Sequence, residues 1–223
     1  MKKNLITLPA PYQLQTITIK ATDGTALPVS VIGRGTPVMM MHAYGMDARE
    51  FLPFILPLIG KHEFYLPHFR GFGAAKNIEV TPFDFVNQYA EDIDAIIDHV
   101  CINRNVESLP VAGISMGALV MWSYFTHFGT SRISRYLNID QSPVIHNQPD
   151  WQGGLFGDRQ TEMFAVFQEI IGMTLPYAQV ERFTHLPFFL KRQVTNVEKM
   201  FSLLSVSRPR SKAIVRALTY QND

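Results

Sequence analysis

The most constraining feature of the chain is a five-residue stretch, Gly113-Ile114-Ser115-Met116-Gly117, set between two segments of opposite periodicity. Before it, Ser108 to Ile114 is a short apolar run of the kind that forms a buried strand. After it, Gly117 to Phe128 has helical spacing and stops at Gly129. A chain that passes from strand to helix within one or two residues must turn sharply, and a serine at the apex is held in an unusual backbone conformation with its hydroxyl projecting alone. Small residues on either side let neighbouring backbone pass without side-chain clashes. The helix then directs its positive end at the serine, which suits a developing anion. Ser115 is therefore the candidate nucleophile, and Gly113 and Gly117 are its structural support.

The rest of the chain supplies a context for that turn. Leu14 to Lys20 alternates apolar and polar residues, Asp23-Gly24 marks a turn, and Ala26 to Ile32 is a second strand, so the chain opens with a hairpin. Pro37 to Met41 is continuously apolar, as in a parallel strand covered on both faces, and it runs into the loop His42-Ala43-Tyr44-Gly45-Met46-Asp47. Residues 49 to 60 are apolar but carry Pro53 and Pro57, which predicts irregular helix. Glu63 to Leu66 is a short strand leading to Arg70-Gly71-Phe72-Gly73, where paired glycines signal unusual dihedrals. Thr81-Pro82 suits an N-cap and first helical position. The helix that follows carries Val86, Tyr89, Ile93, Ile96, Ile97 and Val100 on one face. Ile133 to Ile139 is a further strand closing on Asp140-Gln141-Ser142-Pro143. Alternating strands and helices predict an α/β fold, a mostly parallel sheet with helices on both faces. After residue 144 only helical segments are expected, at 159–172, 177–185, 194–205 and 209–219, which divides the chain into a core over 1–144 and a helical cap insert over 145–223.

Four of these stretches in this order, at His42 to Gly45, Arg70 to Gly73, Ser115 and Asp140 to Pro143, resemble the α/β-hydrolase superfamily of serine esterases and their relatives. The loops depart from that family at Ala43, where it has glycine, and at His68 and Ala75, where it has aspartate and serine. The resemblance implies an oxyanion hole made of the backbone N–H groups of Tyr44 and Met116, with His42 bracing the first of these loops rather than acting as a base. It makes Asp140 a fallback catalytic acid. His68 is expected to pack or face solvent. In this superfamily the acid and then the catalytic histidine follow the serine on later strands, which the sequence lacks. The expectation is thus of missing C-terminal strands, with the base beyond residue 223, in a fragment, a partner-completed enzyme or a non-catalytic relative.

The function implied is hydrolysis of an ester of a small or medium apolar substrate, a small-molecule ester being the expected partner. The alternatives are a ligand-binding protein without turnover and a cofactor-free perhydrolase related to haloperoxidases. Serine at 115 argues against the dehalogenases and epoxide hydrolases of the same superfamily, whose nucleophile is a carboxylate. Phe164, Phe167, Phe183, Phe188, Phe189 and Phe201 in the cap would line an apolar acyl pocket, or simply pack the cap onto the sheet. No metal is implied, because no His, Cys or Asp cluster has ligand spacing, and no cofactor is, because Gly71-Phe72-Gly73 lacks the third glycine of a dinucleotide fingerprint. A net charge of +1 gives no field for nucleic acid and leaves room for self-association into a homodimer. One cysteine, Cys101, no signal peptide and no apolar run long enough for a membrane span point to a cytoplasmic protein.

Overall fold

In the computed structural model, residues 11–80, 84–144, 146–154 and 156–162 are described. They build one six-stranded sheet: β1 (Gln15–Lys20), β2 (Ala26–Gly33), β3 (Thr36–Met41), β4 (His62–Pro67), β5 (Leu109–Ile114) and β6 (Ile133–Ile139). The order across the sheet is β1-β2-β4-β3-β5-β6. The first hairpin is antiparallel and β2 meets β4 antiparallel, whereas β4, β3, β5 and β6 run parallel. The mostly parallel α/β sheet expected from the sequence is therefore present.

Period-2 alternation sends successive side chains to opposite faces, and both faces are covered. Met39 and Met41 of β3 enter one core with Val29, Val31, Tyr65 and Val111, while Val38 and Met40 pack against a second core with Ile32, Phe64 and Leu66. The first core is closed by α1 (Phe85–Arg104) and α2 (Met116–Phe128). The second is closed by Phe51, Leu52 and Ile55, from a 3-10 turn at Ala48–Phe51 and the single helical turn at Leu52–Ile55. Pro53 and Pro57 keep this covering segment short and broken, as expected. Met39 and Met41 are fully buried, each contributing on the order of 1.5–3 kcal/mol of hydrophobic stabilisation.

Two local details differ from expectation. Helix α1 begins at Phe85 with Asp84 in the N-cap position and no side-chain capping bond. Thr81 and Pro82, expected to open it, lie outside the described residues. Helix α2 begins one residue earlier than its spacing suggested, at Met116, so that Ser115 itself is the N-cap residue. Most of the 145–223 segment also lies outside the described residues. Its described part holds a bridge between Gln148 and Trp151 and a 3-10 turn at Gly157–Arg159.

The topology decides where a site can form. From β3 the chain moves outward to β4, then crosses back through α1 to β5 on the other side of β3. The strand order thus reverses between β3 and β5. At such a point the loops leaving the strands part in opposite directions and open a crevice at the carboxyl ends of the strands. Loop 42–47, loop 68–75, Ser115 and Asp140 all leave parallel strands at that end.

Candidate active site

Ser115 occupies a backbone conformation that L-residues rarely adopt, φ 47° and ψ −114°. The turn is held from three sides. The Ser115 N–H donates to the carbonyl of Ile139 on β6 at 2.9 Å, and the Ser115 carbonyl accepts from Ala118 and Leu119 at 2.9 and 3.0 Å. On the third side α2 presses against the sheet. A Cβ on Gly117 would lie 2.4 Å from the Met41 carbonyl oxygen, and one on Gly113 would lie 2.6 Å from the Ala118 nitrogen. Both flanking glycines are thus required by close backbone approach. As at any helix start, the first N–H groups of α2, those of Met116 and Gly117, have no acceptor within the helix. Among the described residues the Ser115 side chain has no hydrogen-bond partner.

Loop 42–47 is clamped at its start by His42, which is completely buried. The Phe69 N–H donates to Nε2 at 3.1 Å, so that nitrogen is an acceptor. The proton therefore sits on Nδ1, which donates to the Ala43 carbonyl at 2.8 Å. With both nitrogens engaged, the His42 ring ties the start of this loop to the Phe69 backbone. Its ring packs on Phe69 and Phe72, and the half-buried Tyr44 ring meets Phe72 edge-on at 5.3 Å. At the far end of the loop Asp47 and Glu50 form a reciprocal capping box over the 3-10 turn, and Arg49 binds the Asp47 carboxylate. Burial would raise the Asp47 carboxyl, but hydrogen bonds from Arg49 outweigh it and hold the group down at about 2.

Burial drives the His42 imidazole down from its usual value to about 4. In the folded chain His42 stays neutral where the unfolded chain takes up a proton. Its contribution is complete above the ordinary value of about 6.5 and is lost as pH falls from there toward 4. At roughly 1.4 kcal/mol per unit, folding stability should drop by about 2–3 kcal/mol between pH 7.5 and 4.5 from this residue. Urea unfolding at the two pH values checks this, and an unmoved midpoint would contradict it.

The sequence reading missed two features of loop 68–75. His68, expected to pack or face solvent, does pack, and what was not foreseen is that both of its ring nitrogens are hydrogen-bonded. Arg70 is also buried and forms a two-pronged pair with Asp92 on α1, at 2.7 and 2.6 Å, with a third bond to Asp23 at 2.7 Å. Tyr89 Oη donates to the Arg70 carbonyl at 2.6 Å. A signal for this network was present, since Asp92 falls within the apolar stripe of α1 beside Tyr89 and Ile93, where an unpaired carboxylate would be costly. Gly71 and Gly73 have positive φ, 88° and 49°, as their spacing suggested.

Asp140 directly follows Ile139, which pairs in register with Ile114, so Ser115 and Asp140 leave adjacent strands at one level. Its φ is 59° and its side chain is exposed. Among the described residues no group of three or more His, Cys, Asp or Glu is arranged to hold a metal ion, and no helix is long and apolar enough to cross a membrane.

No protein-family model matches the chain. Solved structures do resemble it. An esterase, EaEST, from Exiguobacterium antarcticum superposes with a TM-score of 0.66 at 18% identity, over 93% of this chain and 74% of its own. The epoxide hydrolase VrEH1 from Vigna radiata gives 0.53 at 20% identity, over 92% and 72%. An alpha/beta hydrolase from Novosphingobium aromaticivorans gives 0.51 at 18%, over 71% and 50%. Identities this low speak to architecture rather than chemistry. The sheet order, the sharp turn at Ser115 and these superpositions together establish that the chain has the α/β-hydrolase fold.

Proposed function

We propose that the protein is a serine hydrolase that cleaves esters of small or medium apolar substrates, with Ser115 as nucleophile. The observation that carries this reading is the Ser115 turn, a strained serine whose hydroxyl has no structural bond among the described residues and whose neighbours are glycines by necessity. Strain of about 1–3 kcal/mol at a side chain that supports nothing is retained where chemistry needs it. Serine Oγ would attack the acyl carbon, its proton passing to a base other than His42 and His68, whose ring nitrogens are all committed. The carbonyl electrons would move onto oxygen, held by the N–H groups of Met116 and Tyr44. Collapse would expel the alcohol, and water would release the acid from the acyl-enzyme.

The test is the intact mass of the protein before and after treatment with a fluorophosphonate, with Ser115→Ala in parallel. One adduct on the parent and none on the variant is the expected result. An unlabelled, folded parent would overturn the enzyme reading and leave a ligand-binding protein of the same fold.

A further inference from the structure

His42 follows β3 and His68 follows β4, two strands paired side by side. Ala74 N–H donates to His68 Nδ1 at 3.2 Å, which makes that nitrogen an acceptor and places the proton on Nε2, where it is donated to Ser30 Oγ at 2.9 Å. The Asp47 carboxylate stands 3.9 Å from the same Nδ1, too far for a hydrogen bond. Gly73 lies across both groups. A Cβ there would come 2.4 Å from His68 Nδ1 and 3.2 Å from the Asp47 carboxylate, so the contact leaves no slack. Asp47 ends the loop that carries Tyr44, and it caps the 3-10 turn after it.

We propose that His68 is a positioning residue for loop 42–47, holding loop 70–75 against it through Ala74 when neutral and transferring the same nitrogen to Asp47 when protonated. For catalysis this rests on the hydrolase reading above, because the Tyr44 N–H is assigned to the oxyanion there. A proton on Nδ1 would face the Ala74 N–H donor to donor, so that bond must break. The nearest acceptor is Asp47, and turning Asp47 toward the ring weakens its hold on Arg49 and on the 3-10 turn. The groups facing His68 are Asp47, which favours the charged ring, Arg49, which opposes it, and His42, whose own charging would oppose it. Ser30, on β2, is uncharged. Burial is the largest influence and places the change below the usual histidine range.

The experiment is a pH titration from 8 to 4.5 of the amide signals of Ala74, Tyr44 and Gly45 and of the His68 ring in the full 223-residue chain, alongside Asp47→Asn. Asparagine keeps the cap but removes the charge. The expected result is one midpoint shared by the ring and all three amides in the parent, with Tyr44 and Gly45 no longer following the ring in Asp47→Asn. Tyr44 and Gly45 staying still while His68 titrates would overturn the proposal. So would the same behaviour in both proteins, or loss of the fold before His68 is protonated. None of these signals requires a reaction at Ser115, so a failure of the fluorophosphonate test leaves this coupling standing or falling on its own.

Discussion

Ser115→Gly should yield a protein that is inert and more stable than the parent. The loss of activity is the larger effect. Removing the nucleophile of a serine hydrolase typically costs on the order of a million-fold in kcat, so on the function proposed above ester turnover should fall to background. The stability change has a separate origin. At φ 47° and ψ −114° any residue with a Cβ is strained by about 1–3 kcal/mol, and glycine is not. Glycine also gives the unfolded chain more freedom, which returns about 0.5–1 kcal/mol. The net gain is about 1 kcal/mol, or roughly 2–4 °C in Tm for a chain of this size. Ser115→Ala keeps its Cβ and should lose activity equally with no change in Tm. Parallel melting curves and ester assays of the three proteins check both halves. A glycine variant that melts lower than the alanine variant would mean that the turn carries no strain.

Asp92→Ala should destabilise the fold by about 3–5 kcal/mol, the cost of leaving a buried guanidinium without its partner. Arg70 is 5% exposed, and two of its bonds go to Asp92, whose side chain is equally buried. Arg70 would keep one bond to Asp23 and a longer one to the Thr25 hydroxyl at 3.2 Å, but the Asp23 side chain is 49% exposed. It cannot replace a two-pronged contact. Because Asp92 joins α1 to the loop after β4, the damage should extend to loop 68–75 and so to the site. The double variant Arg70→Met with Asp92→Leu should recover most of the loss, since a buried ion pair replaced by apolar groups of similar volume is often neutral or stabilising. Urea midpoints of the parent, single and double variants decide this. A single variant costing under about 1 kcal/mol would show that solvent reaches Arg70 after all.

Legibility from the amino-acid order followed the range of the interaction involved. The continuous apolar run at Val38-Met39-Met40-Met41, the stripe along α1 and the Gly-x-Ser-x-Gly turn are local patterns, contained within one strand, one helix or one turn. They were readable because a misplaced apolar side chain costs about 1.5–3 kcal/mol wherever it falls. The need for glycine at 113 and 117 was readable too, although what would be struck, the Ala118 nitrogen and the Met41 carbonyl, was not.

The roles of His68, Arg70 and Asp47 depend on partners that are distant along the chain. His68 reaches Ser30 because β4 pairs antiparallel with β2, and Arg70 reaches Asp92 because α1 packs back onto the sheet after the chain leaves β4. Nothing in the composition of loop 68–75 distinguishes a histidine or arginine bound for burial from one bound for solvent. A single aspartate in an apolar stripe hints at a partner without naming it. Local periodicity therefore determined the elements, their order and the candidate nucleophile. Only the packed sheet decided which polar groups were stripped of water, and with that which histidines stay neutral and which charges must pair, because desolvation is a property of everything that surrounds a group and not of its neighbours along the chain.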